Sequence, residues 1–309
     1  MIVVVCPGQG SQTPGFLSPW LELDGARARL EQFSDAAEVD LVTHGTVSDA
    51  DTIRDTSVAQ PLIVAASILA WEALGGSTAG AGGVAGHSVG EIAALVAAGV
   101  LDAENGMRLV GVRGRAMAEA AAQVSTGMSA VVGGDEAEIL AAVDKHGLSP
   151  ANYNGGGQLV VAGALDALAA LAADAPRGAR VIPLQVAGAF HTHYMAPARE
   201  KLKDAVDSLA GDHNVSDPGI TLWTNHDGTI LKSGTRALEL LVGQVASPVR
   251  WDLCMASFAQ HGVTGVIELA PAGALTGLAK RALRGVPSVA IKTPDDLDAA
   301  ASLLQGDAA

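Results

Sequence analysis

Cysteine is scarce in this chain, two in 309 residues, and Cys6 and Cys254 both sit among apolar neighbours. That is too few for a disulfide framework, so the pair reads as buried free thiols of a reduced protein. Basic residues are also short, 19 against 33 acidic, for a formal charge of −14. Nucleic acid and anionic membranes are bound by neutralising phosphates, so the deficit argues against both as partners. An anionic substrate could still find local basic groups. The candidate clusters are Arg113 with Arg115, Arg177 with Arg180, and Lys280, Arg281 and Arg284; any one alone reads first as a solvated face. No apolar run reaches the roughly 18 residues of a membrane span, and Met1–Cys6 lacks the basic start and length of a signal peptide. It reads as a first strand of a cytoplasmic protein. Among eight histidines only His191 and His193 are close, and no cysteine or carboxylate stands beside them at ligand spacing, so no metal site is expected.

Glycine is plentiful at 37 residues, and hydrophobic residues make up 49% against 17% charged, which is the composition of a globular chain with a sizeable core. The most informative stretch is Gly86-His87-Ser88-Val89-Gly90-Glu91. A short strand-like segment, Gly83-Val84-Ala85, runs into it, and a helical pattern with Ile92, Leu95, Val96 and Val100 on one face runs out. A serine between two glycines at a strand-to-helix turn has the form of a nucleophile elbow, with a strained backbone and an exposed hydroxyl. The competing reading is an ordinary turn with Ser88 as a helix N-cap.

Ile2–Cys6 has the continuous apolar character of a buried parallel strand. The turn Pro7-Gly8-Gln9-Gly10-Ser11-Gln12 follows it. It lacks the lysine and hydroxyl residue of a Walker loop, and no Gly-x-Gly-x-x-Gly follows, so an oxyanion-binding turn is the remaining possibility. Residues 25–75 read as helices broken near 49–56, and Leu62–Trp71 is apolar nearly all round, as a buried helix would be. Residues 75–83 read as a flexible connection. A helix from Glu104 to about Ala122 carries Arg108, Arg113 and Arg115. The pattern changes at about Val124, where strand, helix, two strands, helix and strand succeed one another to Leu184. That βαββαβ order predicts an inserted ferredoxin-like small domain over 124–188. The rest, 1–123 and 189–309, alternates strands and helices and predicts a large α/β domain with a mostly parallel sheet. Asn225–Gly228 reads as a turn, and the tail from Asp295 as a short fraying end. Ligands of open parallel sheets bind at the carboxyl ends of strands, where Gln9 and Ser88 both fall.

A serine hydroxyl needs a base. His87 is adjacent in sequence, and its side chain should point away from that of Ser88. His191, in Gly188-Ala189-Phe190-His191 where the chain re-enters the large domain, is the better candidate, with His193 as competitor.

The segments Pro7–Gln12, Gly86–Glu91, Gly188–His191 and Glu268-Leu269-Ala270-Pro271, in this order, resemble those of the malonyl-CoA:acyl carrier protein transacylase family, over nearly the whole chain. The resemblance implies an α/β-hydrolase-like large domain with a ferredoxin-like insert. It implies that Ser88 is acylated, that His191 is its base, and that the backbone carbonyl of Gln244 orients the histidine. The Gln9 and Val89 amides would hold the oxyanion. Arg113 would pair with the malonyl carboxylate, with Phe190, Gln60 and His87 completing the substrate site. A phenylalanine at position 190 goes with malonyl rather than methylmalonyl, a discrimination of about 1–3 kcal/mol for one methyl group. The implied partners are malonyl-CoA and acyl carrier protein, in fatty acid or polyketide synthesis, with no cofactor beyond the CoA and 4′-phosphopantetheine of the substrates. A serine hydrolase or thioesterase using the same Ser88 and His191 is the main alternative, and a non-catalytic acyl-CoA-binding subunit the second.

Overall fold

The computed structural model describes residues 1–76, 80–211 and 214–306. Part of the connection expected over 75–83 therefore lies outside the described residues. Strand β1 (Ile2–Cys6) is followed by α1 (Ala26–Ala37), α2 (Leu41–Thr46) and α3 (Thr56–Ala73); β2 (Gly83–Gly86) then enters α4 (Gly90–Ala97), and α5 (Ala103–Gln123) comes next. The middle stretch holds β3 (Thr126–Gly133), α6 (Glu136–Lys145), β4 (Ser149–Gly155), β5 (Gln158–Ala164), α7 (Leu165–Ala173) and β6 (Ala179–Pro183). The remainder contributes α8 (Ala196–Gly211), β7 (Thr221–Trp223), β8 (Ile230–Leu231), α9 (Gly234–Gln244), β9 (Val249–Arg250) and α10 (Trp251–Gln260). It closes with β10 (Gly265–Glu268), α11 (Ala274–Ala282), β11 (Ser288–Ala290) and α12 (Leu297–Gln305).

These strands form two sheets. One has the order β11-β10-β1-β2-β7-β8 and is parallel except for the β7–β8 pair. Helices on both faces explain the apolar run of its central strand β1. Val4 and Cys6 join the core with Leu62 and Ile63 of α3, while Val3 and Val5 join the opposite core with Trp223, Trp251 and Phe258. Helix α3 is long and apolar enough to cross a membrane by length and composition alone, yet 78% of it is buried inside the protein.

The second sheet has the order β6-β3-β5-β4-β9. Its first four strands pair antiparallel, and β9 lies parallel to β4, with Val249 opposite Asn152. This fifth strand comes from outside 124–188, in a part of the chain assigned to the large domain. Two residues are too short to show a period, so only the pairing exposes it.

The tail departs from expectation. Residues 297–305 form a helix whose Ala300 and Leu303 are buried in the large core, and Thr293 with Asp296 closes a capping box just before it. Leu297 and Leu304 pack against the same core beside them, so the inward face is Leu297, Ala300, Leu303 and Leu304.

Glu268, in the fourth of the motifs, ends β10 fully buried. Its two carboxylate oxygens accept from the Leu275 and Thr276 amides at 2.9 and 2.8 Å. Those amides open α11 and have no intrahelical acceptor, and a carboxylate also suits the positive end of the helix dipole. Glu268→Ala should therefore lower the free energy of unfolding by about 2–4 kcal/mol, read as a fall in the urea midpoint.

Candidate active site

The Gly86–Glu91 turn is tight because three backbone segments nearly touch. A Cβ on Gly86 would lie 2.1 Å from the Gly90 carbonyl oxygen, and one on Gly90 would lie 2.2 Å from that of Cys6. Between them Ser88 takes a φ of +53°, a left-handed conformation that costs a residue with a side chain about 1–3 kcal/mol. Ser88 is not the N-cap of α4. That position belongs to Val89, which makes no side-chain cap bond.

The strained backbone presents Ser88 Oγ to His191 Nε2 at 2.7 Å. His191 comes from the loop after β6 and also has a positive φ, +61°. Its backbone N–H donates to the Val245 carbonyl, and its Nδ1 lies 2.9 Å from the Gln244 carbonyl oxygen. A carbonyl only accepts, so Nδ1 carries the proton and Nε2 faces the serine hydroxyl as an acceptor. Burial, reinforced by the charge of Arg113, pushes the imidazole pKa down to about 3. The ring is therefore neutral at pH 7 and free to take a proton. His193, the competitor, is exposed and tilted against Tyr194. His87 turns away from Ser88, with Nε2 2.9 Å from Asn154 Oδ1 and its ring edge-on to Trp251.

Arg113 is the buried arginine of α5, 1% exposed, whereas Arg108 ion-pairs with Glu104, and Arg115 with Glu38, nearer the surface. Its guanidinium donates to Gln60 Oε1 at 2.6 Å and to Gln244 Oε1 at 2.8 Å, and lies 3.4 Å from Ser88 Oγ. Both amides are neutral, and Nε has no hydrogen-bond partner. Among the described residues no carboxylate comes within ion-pair distance, 4.0 Å, of this group.

A cavity of about 80 Å³ opens over Ser88 between the two sheets. Gln9, Gln60, His87, Val89, Phe190 and His191 line it from the large part, and Met128, Asn152, Leu184 and Val186 from the small sheet and the segment after it. Gln9 is held in place by its side chain, which donates to the Arg54 carbonyl. Among the described residues, neither the Gln9 nor the Val89 amide has a protein acceptor. The basic clusters named beside Arg113 are exposed and away from this cavity: Arg180 on the edge strand β6, Arg177 just before it, and Lys280, Arg281 and Arg284 at the end of α11.

Residues 3–298 match the model of the acyl transferase domain. The chain belongs to that family. It is 51% identical over 306 residues to the malonyl CoA-acyl carrier protein transacylase of Mycobacterium bovis, an alignment covering 98% of this chain and 100% of the relative. The crystal structure of MCAT from Mycobacterium tuberculosis superposes with a TM-score of 0.93 at 50% identity, covering 97% of this chain and 99% of that one. A structure of a type II PKS acyl-carrier protein in complex with its malonyl-transacylase gives a TM-score of 0.87 at 30% identity, covering 99% of both chains.

Two residues of this acyltransferase site were not legible as such in the sequence. Glu91 had no role beyond its place in the motif, and Asn225 read only as a turn residue. Glu91 is buried, its oxygens accepting from the Asn225 backbone N–H and from Gln244 Nε2. Burial is the main cause that raises its pKa to about 7, partly offset by those bonds and by Arg113. Asn225 is fully buried against the elbow from the end of β7. Neither has a sequence signal, because their partners lie up to 153 positions away.

The two shifted groups act on stability with opposite sign. His191 takes its proton near pH 6.5 when unfolded but only near 3 when folded, so between those values its contribution falls as pH falls. Glu91 loses its proton near 4.5 unfolded and near 7 folded, so between those values its contribution falls as pH rises. From pH 4.5 to 6.5 the two offset each other. His191→Ala removes one side, and the unfolding free energy of the variant should decline from pH 5 to 6.5 by about 1 kcal/mol per pH unit relative to the unmutated protein, measured by urea unfolding at several pH values.

Proposed function

We propose that this acyltransferase moves a malonyl group from malonyl-CoA to the phosphopantetheine thiol of an acyl carrier protein through an ester on Ser88. The observation that carries the reading is Arg113: a guanidinium 1% exposed, held by two neutral amides, 3.4 Å from the serine hydroxyl and without a carboxylate of its own. A buried cation so placed fits an acyl chain that ends in a carboxylate. The names of the relatives support the same substrate and carrier.

In the first half-reaction Ser88 Oγ attacks the thioester carbonyl while His191 Nε2 takes the hydroxyl proton. The Gln9 and Val89 amides receive the developing oxyanion, and the collapsing intermediate expels the CoA thiolate, which is protonated by His191. In the second half the carrier thiol gives its proton to His191 and attacks the seryl ester by the same route. The Gln244 carbonyl holds the imidazole in the required tautomer throughout. Phe190, Gln60 and His87 shape the acyl site. The chemistry invokes side chains and backbone alone, with no cofactor of the protein's own. The apolar walls supplied by Met117, Met128, Leu184, Val186 and Phe190 favour transfer over hydrolysis, since they limit water near the ester.

We read the architecture as an α/β-hydrolase-like unit, 1–123 and 189–309, with a ferredoxin-like insert at 124–188. The βαββαβ succession and the order β6-β3-β5-β4 support this, with β9 added at the edge. The location proposed is cytoplasmic.

Incubation with labelled malonyl-CoA should leave a stable adduct on the Ser88 peptide, discharged quickly by phosphopantetheinylated carrier and slowly by buffer. Rapid release of free malonate without carrier would make the protein a thioesterase instead. Arg113→Ala should lower malonyl transfer by about 100–1,000-fold and raise acetyl transfer relative to malonyl. Arg115→Ala, whose guanidinium binds the Ala37 carbonyl and Glu38, is the control and should stay within about threefold.

A further inference from the structure

The proposed mechanism uses Ser88, His191 and Gln244 but leaves Asn225 without a role, although all of its polar groups are engaged. Its backbone N–H donates to Glu91 Oε1, and its carbonyl accepts from the Arg250 amide at 2.8 Å. Its side chain straddles the elbow: Oδ1 accepts from the Ser88 amide at 2.7 Å, and Nδ2 donates to the Gly86 carbonyl. The two elbow groups so bound lie on either side of His87, on the last residue of β2 and on the strained residue of the turn. Asn225 is fully buried, so no water stands in for either bond.

The bonds continue beyond Asn225. Glu91 Oε2 accepts from Gln244 Nε2, the same Nε2 also donates to the Ser88 carbonyl, and the Gln244 backbone carbonyl receives the His191 Nδ1 proton. The path Ser88–Asn225–Glu91–Gln244–His191 closes on itself through the 2.7 Å contact between Ser88 Oγ and His191 Nε2. One branch fixes the backbone of the nucleophile and the other fixes the ring of the base.

We propose that Asn225 is a positioning residue for acyl transfer, whose carboxamide holds the left-handed Ser88 backbone so that Oγ stays aligned with His191. Its effect belongs to the rate of attack and not to substrate affinity, because its side chain bonds the Ser88 amide and the Gly86 carbonyl and makes no bond to Arg113 or Gln60, whose own partners are each other, Ser88, Gln244 and Met117. Replacing the side chain leaves the backbone bond to Glu91 in place, so the Gln244 and His191 branch is retained. The proposal rests on Ser88 being the acylated group.

The test compares Asn225→Ala and Asn225→Asp with the unmutated protein. Asp keeps the shape and the acceptor for the Ser88 amide but lacks the donor to Gly86. Three quantities are measured: the single-turnover rate of Ser88 acylation by malonyl-CoA, the fraction of molecules finally acylated, by mass, and the rate of modification by a small phosphonyl fluoride. Displacement of a reacting atom by a fraction of an ångström to 1 Å should slow acylation by Asn225→Ala about 10–100-fold, with KM for malonyl-CoA changed by less than about threefold. The final acylated fraction should remain near complete, and Asn225→Asp should fall between the two. Phosphonylation, which needs the elbow and base but not Arg113, should slow in parallel. The proposal fails if acylation per competent Ser88 stays within twofold of the unmutated rate, if the loss appears in KM or in the acylatable fraction alone, or if neither variant folds. An unmutated protein that reacts with the phosphonyl fluoride but not with malonyl-CoA would overturn the malonyl reading, while the phosphonylation rates would still decide the role of Asn225.

Discussion

The left-handed backbone of Ser88 is the constraint on which the rest of the site depends. It costs about 1–3 kcal/mol, and it persists because the surroundings leave no alternative. Gly86 and Gly90 bring β2, α4 and the end of β1 closer than any side chain would allow. Val89 rather than Ser88 begins the helix, so the serine hydroxyl is not consumed as a cap. Asn225 then ties down the Gly86 carbonyl and the Ser88 amide on either side of His87. A serine on a relaxed turn at the same place would have its hydroxyl directed by local backbone and not by a histidine 103 positions away.

Electrostatics complete what the backbone begins. Arg113 is buried among amide oxygens, and the carboxylate that stabilises it, Glu91, is engaged with Asn225 and Gln244 and not paired with it directly. Burial lowers the Arg113 pKa only to about 10, so the guanidinium remains a cation. The same burial, with that cation nearby, keeps His191 neutral. One low-dielectric pocket thus holds a positive anchor and an unprotonated base within reach of one hydroxyl.

The second sheet matters through its position more than its composition. It supplies Met128 and Asn152, and through the segment after β6 Leu184 and Val186, to a cavity whose chemistry lies in the other sheet. Asn154 on β4 holds His87, and β9 and α10 pack onto the same strand, so the wall is fixed to the elbow from two sides.

The elbow was legible in the sequence because it is local. Strand, Gly-x-Ser-x-Gly and helix follow within 15 residues of Gly83, and their steric demand is written in glycines. The apolar run of β1, the all-apolar α3 and the βαββαβ succession were legible for the same reason, as periods within single segments. The resemblance of four separated motifs supplied the roles that no single segment could. The short terminal helix α12 and the two-residue β9 escaped, since elements this short carry little pattern and are fixed by what they pack against. By itself, then, the sequence determined the elements and the serine's turn. The resemblance singled out Arg113 and His191, but only the tertiary structure decided that Arg113 alone of the three arginines on α5 is buried within 3.4 Å of the Ser88 hydroxyl, that His191 Nε2 lies 2.7 Å from it, and that Asn225 and Glu91 stand behind it. Those choices depend on burial and hydrogen-bond partners far apart along the chain, and local residue order does not encode them.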